Sequence, residues 1–313
     1  MFVNRLPGLR VGELSRANAG ELVQLVADME SRFFGQSQTN LPEILGTLAA
    51  PELHGTRGTA GVWQDGRLVA ALLAYDDLEH QQSLALDLFA APGPRRLEIV
   101  RRLLAGAREY GASLRPRSGD WLKVETFGGD DELAVEVADD GYVQHRVYLR
   151  MRLDFDGDLE PAVLPDGLTT RVMVDADWPA IHAVVMAGFS DHYDFHPRPL
   201  EMLKQQYDTE TTDYSRWQLV FDGGELAGVG IGSNRYAECG LGYVDSLVVL
   251  REARGRGIAT FLLRGAFAAD RARGLRGTAL HCDATNPTGA ARLYEAVGMR
   301  RDQHYDAWRA RLA

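Results

Sequence analysis

The chain has 313 residues, of which 45% are hydrophobic and 25% charged, and its formal net charge is −10. This length exceeds the usual size of one domain, so two domains of roughly 150 residues are expected. The negative charge disfavours a nucleic-acid-binding protein, which needs a basic surface, and is compatible with a small amine as substrate. No apolar run approaches the roughly 18 residues of a membrane-spanning helix.

The first residues lack the basic and apolar segments of a signal peptide. The two cysteines, Cys239 and Cys282, form no disulfide or metal framework and suit a reducing compartment. A cytoplasmic location is therefore expected.

Two segments of similar length repeat one order of predicted elements. Each contains a helix, a hairpin, an apolar strand, an amphipathic helix, a further strand, a short helix and a final strand. The hairpin turns are Asp65-Gly66 in the first segment and Asp222-Gly223-Gly224 in the second. Matching order in two halves predicts an internal duplication of α/β domains, each with a mixed β-sheet flanked by helices.

The stretch between the two segments, from Asp154 to Gly167, is rich in Asp, Pro and Gly and has no clear period. These features are typical of a linker. The predicted organisation is therefore a domain over residues 1–155, a linker over 156–166 and a second domain over 167–313.

The motif that most clearly indicates a functional site follows the apolar strand GYVDSLVVL in the second half. The next residues, REARGRGIAT, contain Gly255 and Gly257, which let the backbone turn tightly and approach a ligand. A helix follows, and the free N–H groups of its first turn favour an anion. Arg254 and Arg256 add donors suited to phosphate.

This glycine-rich turn has two alternative interpretations. One is a flexible loop with solvated arginines. The other is a dinucleotide-binding fingerprint with Asp283 as its later acidic residue. Thr260 stands where that fingerprint needs a small residue, and the loop comes late in its domain, so the dinucleotide interpretation is disfavoured.

A second motif, NPTGAARLYEAVG, follows about thirty residues later. Asn286 is predicted as the N-cap of a helix, Pro287 as its first residue and Gly298 as its stop. Tyr294 shares a helix face with Ala290, which leaves a groove beside an aromatic hydroxyl. The alternative is a small-residue packing face with Tyr294 half buried.

The pairing of Arg254-x-x-Gly257-x-Ala259 with Asn286 and Leu293-Tyr294-x-x-x-Gly298 resembles the GCN5-related N-acetyltransferase (GNAT) superfamily. The resemblance is specific from about Gly242 to Trp308. The layout of two such domains in one chain is similar to mycothiol synthase and related tandem acetyltransferases.

The resemblance implies acetyl-coenzyme A as co-substrate and assigns its contacts. The loop holds the pyrophosphate through backbone amides, over Arg254, Gly255, Arg256, Gly257, Ile258, Ala259 and Thr260. The preceding strand pairs with the pantetheine arm through Leu247, Val248 and Val249. The following helix places Asn286, Ala290 and Tyr294 near the thiol.

The first half departs from this pattern. Where the loop belongs it reads AAPGPRRL, in which Pro92 and Pro94 remove amide donors. The helix after strand WLKVETF also lacks the Asn and Tyr of the second motif. The first domain is therefore predicted to be non-catalytic. It is expected to support the second domain and to line part of the substrate cleft.

The reaction that the resemblance implies is direct acyl transfer to an amine in a ternary complex. Tyr294 is the candidate acid for the departing thiolate, since its ordinary pKa of about 10 lies near the thiol value of about 8.5. The implied oxyanion donor is a backbone N–H near Leu247 to Val249. Asp245 is the candidate base, with a structural acid as the alternative, and Glu238 is a second candidate closer to a turn.

The loop after the first helix of the second domain lines the acceptor site in this superfamily. Here it supplies Asp191, His192 and Tyr193 as weak candidates for substrate contacts. Prolines around this loop discourage the helix that a histidine pair needs to bind metal, so no metal is expected. Within strand GTALHCDAT, core packing is the expected role of Cys282.

The sequence thus favours an acetyl-coenzyme A dependent N-acetyltransferase acting on a small-molecule amine. A narrower version makes the acceptor the cysteinyl amine of a mycothiol precursor. The alternative is a non-catalytic acyl-coenzyme A sensor or scaffold, which has no need of Tyr294 and Asn286. No nucleic-acid or membrane partner is expected, and the sequence leaves open a monomer or a homodimer.

Overall fold

The computed structural model describes residues 6–77, 83–114, 121–190, 192, 195–209, 211–285 and 289–312. The chain divides into two compact units, Met1–Tyr148 with Gln303–Ala313, and Leu149–Asp302. The end of the chain is thus assigned to the first unit, and the predicted linker over 156–166 lies within the second.

The first unit is a mixed sheet with helices packed on it. Its helices are α1 (Ala19–Phe34), α2 (Leu41–Thr47), α3 (Arg96–Leu114) and α4 (Asp131–Asp139). Its strands are β1 (Arg10–Gly12), β2 (Thr59–Gln64), β3 (Arg67–Asp76), β4 (Ser83–Ala90) and β5 (Trp121–Phe127), followed by β6 (Val143–Asp154), which runs on into the second unit.

The last strand of the chain is β12 (Arg300–Arg311). Its residues from Gln303 onward belong to the first unit, where Tyr305–Arg311 pair with β5. The order across the first sheet is β1-β2-β3-β4-β5-β12. Only the β4–β5 pair is parallel among these five pairings.

Alternation along the strands builds a core on each face of the first sheet. On β3, Leu72 packs with Val100 and Leu103 of α3 in one cluster. The next residue, Leu73, joins Leu22 and Leu25 of α1 in the other. Side chains on successive residues point to opposite faces, so one apolar strand supplies both cores.

The second unit repeats this arrangement. Its helices are α5 (Trp178–Phe189), α6 (Leu200–Tyr207), α7 (Ile258–Ala272) and α8 (Ala290–Ala296). Its further strands are β7 (Leu168–Val172), β8 (Gln218–Asp222), β9 (Glu225–Ser233), β10 (Leu241–Val249) and β11 (Gly277–Asp283). The order is β6-β11-β10-β9-β8-β7, with β10 and β11 parallel.

Each half of the chain, β1 to β6 and β7 to β12, thus runs strand, two helices, three strands, helix, strand, helix, strand. This order confirms the predicted fold class of mixed sheets flanked by helices. The sequence missed the short helices α2 and α6. Helix α6 begins directly after Pro199, at a helix start where the missing proline N–H removes no hydrogen bond. None of the helices within the described residues is long and apolar enough to cross a membrane.

Candidate active site

The cleft of the second unit lies where two parallel strands separate. Strands β10 and β11 pair only over Leu241–Tyr243 and Gly277–Ala279. Beyond Tyr243, β10 continues to pair with β9 along its other edge as far as Val249. The edge of β10 that faces β11 is therefore left without a paired strand in this part of the described chain, and its backbone groups are available to an extended ligand.

The resulting cleft has a volume of about 450 Å³. The outer part of β10 and the start of α7 line one side, and the end of β11 and helix α8 line the other. Of the residues proposed from the sequence, the cleft brings together Asp245, Leu247, Val248, Val249, Arg254, Gly255, Gly257, Ile258, Ala259, Thr260, Ala290, Tyr294 and His192.

The start of α7 has the features of an anion site. Gly257 occupies the N-cap position with φ of 83°, and Gly255 has φ of 77°, values that side-chain-bearing residues rarely adopt. Among the described residues, no side chain caps this helix. The amides of Ile258, Ala259 and Thr260 thus lack a capping acceptor and lie at the cleft, where the helix dipole favours negative charge.

The two arginines of this loop have different surroundings. Arg254 lines the cleft, and its Nε donates to the carbonyl of Val249 at 3.2 Å. Arg256 instead forms an ion pair with Asp222 at the β8–β9 turn and is not among the residues that line the cleft. Of these two arginines, Arg254 is the one placed beside the proposed phosphate site.

Asp245 occupies an irregularity in β10. The register with β9 shifts between Val244 and Ser246, so Asp245 is the extra residue of a β-bulge. The side chain is half-buried and hydrogen-bonded to Ser233. Desolvation raises the pKa of Asp245, while Ser233 and the nearby Arg235 act in the opposite direction. The carboxylate is consequently a stronger base than an ordinary aspartate.

Helix α8 begins later than the sequence predicted. Its first residue is Ala290, and Gly289 takes the N-cap position with φ of 72°. Asn286 and Pro287 lie outside the described residues. At the other end, Gly298 with φ of 91° follows the helix as predicted.

Tyr294 is 8% exposed and lines the cleft. Burial raises its pKa above the ordinary value of 10, with a smaller contribution from Cys282. The near match between the pKa values of the phenol and the thiol, expected from the sequence, is therefore lost. Its hydroxyl remains protonated at neutral pH and is suited to donate a hydrogen bond to a developing anion.

The end of β11 contributes residues that sequence reasoning did not select. The Tyr243 hydroxyl and His281 Nδ1 are 2.8 Å apart, and His281 lines the cleft. Desolvation, with Arg150 and Arg235 nearby, lowers the pKa of His281 to about 4, so its imidazole is neutral at pH 7. Cys282 also lines the cleft and is partly exposed, so core packing was the wrong expectation. Both residues reach the cleft because β11 has already left β10.

The acceptor loop is described only in part. His192 lines the cleft and contacts Phe189 edge-on, with ring centroids 4.6 Å apart. Asp191 and Tyr193 lie outside the described residues.

The corresponding turn of the first unit is built differently. Arg96, in the position after Pro94 and Arg95, is 3% exposed and forms a buried ion pair with Asp130. Its Nε also donates to the carbonyl of Ala90 at 2.9 Å. The Arg96 guanidinium is thus already bonded to Asp130 and to the Ala90 carbonyl inside the unit.

Residues 178–299 match the model of the acetyltransferase (GNAT) family. A search of curated proteins found no match to the sequence. Among solved structures, the fold is similar to a GCN5-related N-acetyltransferase from Sphaerobacter thermophilus, with 22% identity, a TM-score of 0.86 and coverage of 99% of this chain and 97% of that one.

A tandem GNAT protein from the clavulanic acid biosynthesis pathway has 19% identity and a TM-score of 0.73, covering 97% of this chain and 99% of that one. A GNAT-family acetyltransferase from Colwellia psychrerythraea has 15% identity and a TM-score of 0.59, with 96% and 98% covered. Residues 178–299 therefore form an acetyltransferase domain of the GNAT family, and the chain as a whole has the fold of tandem GNAT proteins.

Proposed function

We propose that the protein transfers an acetyl group from acetyl-coenzyme A to the amine of a small molecule, by direct attack in a ternary complex. The observation that carries this proposal is the cleft between β10 and β11. It combines an unpaired strand edge, an uncapped helix N-terminus and the buried phenol of Tyr294. These three features match the extended arm, the phosphates and the thiol of one ligand.

The residues present fit coenzyme A. The amides of Ile258, Ala259 and Thr260, with Arg254, would hold the pyrophosphate, and the backbone of Leu247 to Val249 would pair with the pantetheine arm. Bound acetyl-coenzyme A supplies the acyl group as an activated thioester. By analogy with the family, an N–H near Leu247 would donate to the oxyanion.

Tyr294 is the proposed donor to the departing thiolate. Because burial keeps the phenol protonated, the proton is in place when negative charge develops on sulfur. The elevated pKa makes full proton transfer less favourable than for an exposed tyrosine. A hydrogen bond from the phenol to the thiolate, which takes its proton from solvent on release, is the step that this environment supports.

Asp245 is the proposed base that takes a proton from the substrate ammonium, so that the neutral amine can attack the thioester carbonyl. Asp245 lies at the bulge and lines the cleft. Its raised pKa makes it a better proton acceptor than an exposed aspartate. His281 lines the same cleft, but a pKa of about 4 makes it a weak base. The raised pKa of Asp245 therefore favours the carboxylate.

The first domain is proposed to be non-catalytic. Its turn after β4 contains Pro92 and Pro94, and Arg96 is already paired with Asp130 inside the unit. A phosphate there would have to compete with that buried ion pair.

Thiol release from acetyl-coenzyme A, measured with a panel of small amines that includes a cysteinyl amine, tests the proposal. Tyr294→Phe is expected to lower turnover by roughly 100-fold and to leave the affinity for coenzyme A nearly unchanged. If coenzyme A raises the melting temperature but no amine yields thiol, the sensor or scaffold alternative is favoured instead. Unchanged turnover in Tyr294→Phe would remove this residue from the acid role.

A further inference from the structure

Two polar side chains flank the end of the cleft where β10 and β11 are still close together. The last registered pair of these strands is Tyr243 with Ala279. Asp245 and His281 each lie two residues further along their own strand, and both line the cleft. Paired strands lie about 4.8 Å apart, and here the two strands have just begun to separate. Asp245 and His281 therefore lie on opposite sides of a narrow gap, within reach of one small molecule.

The hydrogen bond between Tyr243 and His281 fixes which nitrogen of the imidazole carries the proton. Tyr243 is buried, and its hydroxyl lies 2.8 Å from Nδ1 of His281, the one hydrogen-bond partner it has in the described part of the chain. Burial raises the pKa of Tyr243, so the phenol keeps its proton at neutral pH. Because a buried donor needs an acceptor, the hydroxyl donates to Nδ1, and the proton of the neutral imidazole lies on Nε2.

The Nε2–H group of His281 is thus a hydrogen-bond donor at the wall of the cleft. Within the residues that the structure describes, Nε2 has no hydrogen-bond or ion-pair partner. Nε2–H can only donate, so the groups that suit it best are those that only accept, such as a carbonyl or carboxylate oxygen. The cleft therefore offers an oriented donor on β11 opposite the carboxylate of Asp245 on β10.

The charges near His281 favour the same kind of group. Arg150 and Arg235 lie close enough to lower the pKa of His281, and Asp302 offsets them only in part. The guanidinium carbon of Arg235 lies 5.7 Å from the centroid of the Tyr243 ring, whose hydroxyl is bonded to His281. The β11 side of the gap thus favours a negative charge or the negative end of a dipole, whereas the carboxylate on β10 favours a cation.

We propose that the acceptor is an α-amino acyl compound, in which the amine and a carbonyl or carboxylate oxygen are held by adjacent carbon atoms. Its ammonium lies beside Asp245, and its oxygen accepts a hydrogen bond from Nε2 of His281. His281 is then a specificity-determining residue, and Tyr243 is a positioning residue that fixes its tautomer. Amino acids and their amides share this chemistry.

This inference rests on the proposed acetyl transfer at the same cleft and leaves the reaction unchanged. The N–C bond forms and the C–S bond of the thioester breaks. Of the two protons that the ammonium loses, one goes to Asp245 and the other to solvent, from which the departing thiolate takes its own.

Thiol release from acetyl-coenzyme A, measured with the whole protein and matched pairs of amines, tests the inference. Each pair compares the amide of alanine, leucine or phenylalanine with the alkylamine in which an ethyl group replaces the carboxamide. The amide should have a kcat/KM higher by roughly fivefold or more, the size of one hydrogen bond. The free amino acids show whether a carboxylate or a neutral carbonyl is the better acceptor, and a preference for either over the alkylamine supports the inference.

Because the amides are also less basic than the alkylamines, the decisive quantity is the change of this ratio in variants. His281→Phe keeps an aromatic ring but removes the donor, so the ratio should fall by roughly fivefold or more. His281→Gln keeps an N–H donor and should retain part of the preference. Tyr243→Phe lets the imidazole proton move to Nδ1 and should give an intermediate loss. His304→Phe, an exposed position in the first unit, is the matched control and should keep the full ratio.

An unchanged ratio in His281→Phe would overturn the inference. A fall in kcat that is the same for amides and alkylamines would also overturn it, and would assign Nε2–H to the thioester oxygen instead. If no amine yields thiol, the proposed function itself fails, and this inference fails with it. Melting temperatures show whether each variant is folded, and Tyr243→Phe provides the same comparison if His281→Phe is not.

Discussion

Gly257 offers the most direct test of the proposed phosphate site. Its φ of 83° costs a side-chain-bearing residue roughly 1–2 kcal/mol, and an added Cβ would lie 3.4 Å from Pro165 Cγ, an ordinary contact. Gly257→Val should therefore still fold. The branched side chain would stand where phosphate must approach the amides of Ile258 and Ala259. Hydrogen bonds to a charged group contribute about 1.5–3 kcal/mol each, so losing two raises the Kd for coenzyme A by roughly 10² to 10⁴.

Gly274→Val is the matched control for this variant. Gly274 follows the other end of α7 with φ of 79°, and an added Cβ meets no atom within 4 Å. Both variants should lose similar stability without ligand. Calorimetry and the coenzyme A dependent rise in melting temperature should change only in Gly257→Val. Unaltered affinity in Gly257→Val would refute the assignment of the phosphate to this helix start.

Three further predictions concern neighbouring groups. Arg254→Gln should weaken coenzyme A binding by roughly threefold to tenfold. Arg256→Gln should have a smaller effect, because that guanidinium is paired with Asp222. Equal losses of affinity in the two variants, measured by calorimetry, would contradict this. His281 has a folded-state pKa of about 4 against 6.5 unfolded, so the unfolded state takes up its proton first and stability falls as pH drops from about 6.5 to 4. His281→Gln should flatten that part of a plot of urea midpoint against pH, and an unchanged slope would argue against the shift. Asp270→Asn should lower the free energy of unfolding by about 3–5 kcal/mol. The reason is that the buried guanidinium of Arg216 loses its partner carboxylate, 2.6 Å away. A loss below about 1 kcal/mol in a denaturant titration would contradict this prediction.

Local patterns were sufficient to predict most of the fold. The alternation and length of apolar runs indicated the strands, and the turn at Asp65-Gly66 has the positive φ values that a tight hairpin needs. Helix α5 has the predicted bounds, Trp178–Phe189. The spacing of Gly255 and Gly257 before an apolar helix predicted the uncapped helix start, because these features depend on residues adjacent in sequence.

The sequence by itself therefore determined the repeated order of elements, the GNAT motif and the identity of the half that carries it. Tertiary structure decided which side chains meet in the cleft. The β-bulge at Asp245 depends on the register with β9, and the pairing of Arg256 with Asp222 joins residues 34 apart. His281 and Cys282 line the cleft only because β11 leaves β10 after three paired residues. Such contacts between distant segments depend on register and strand separation, which no local pattern encodes.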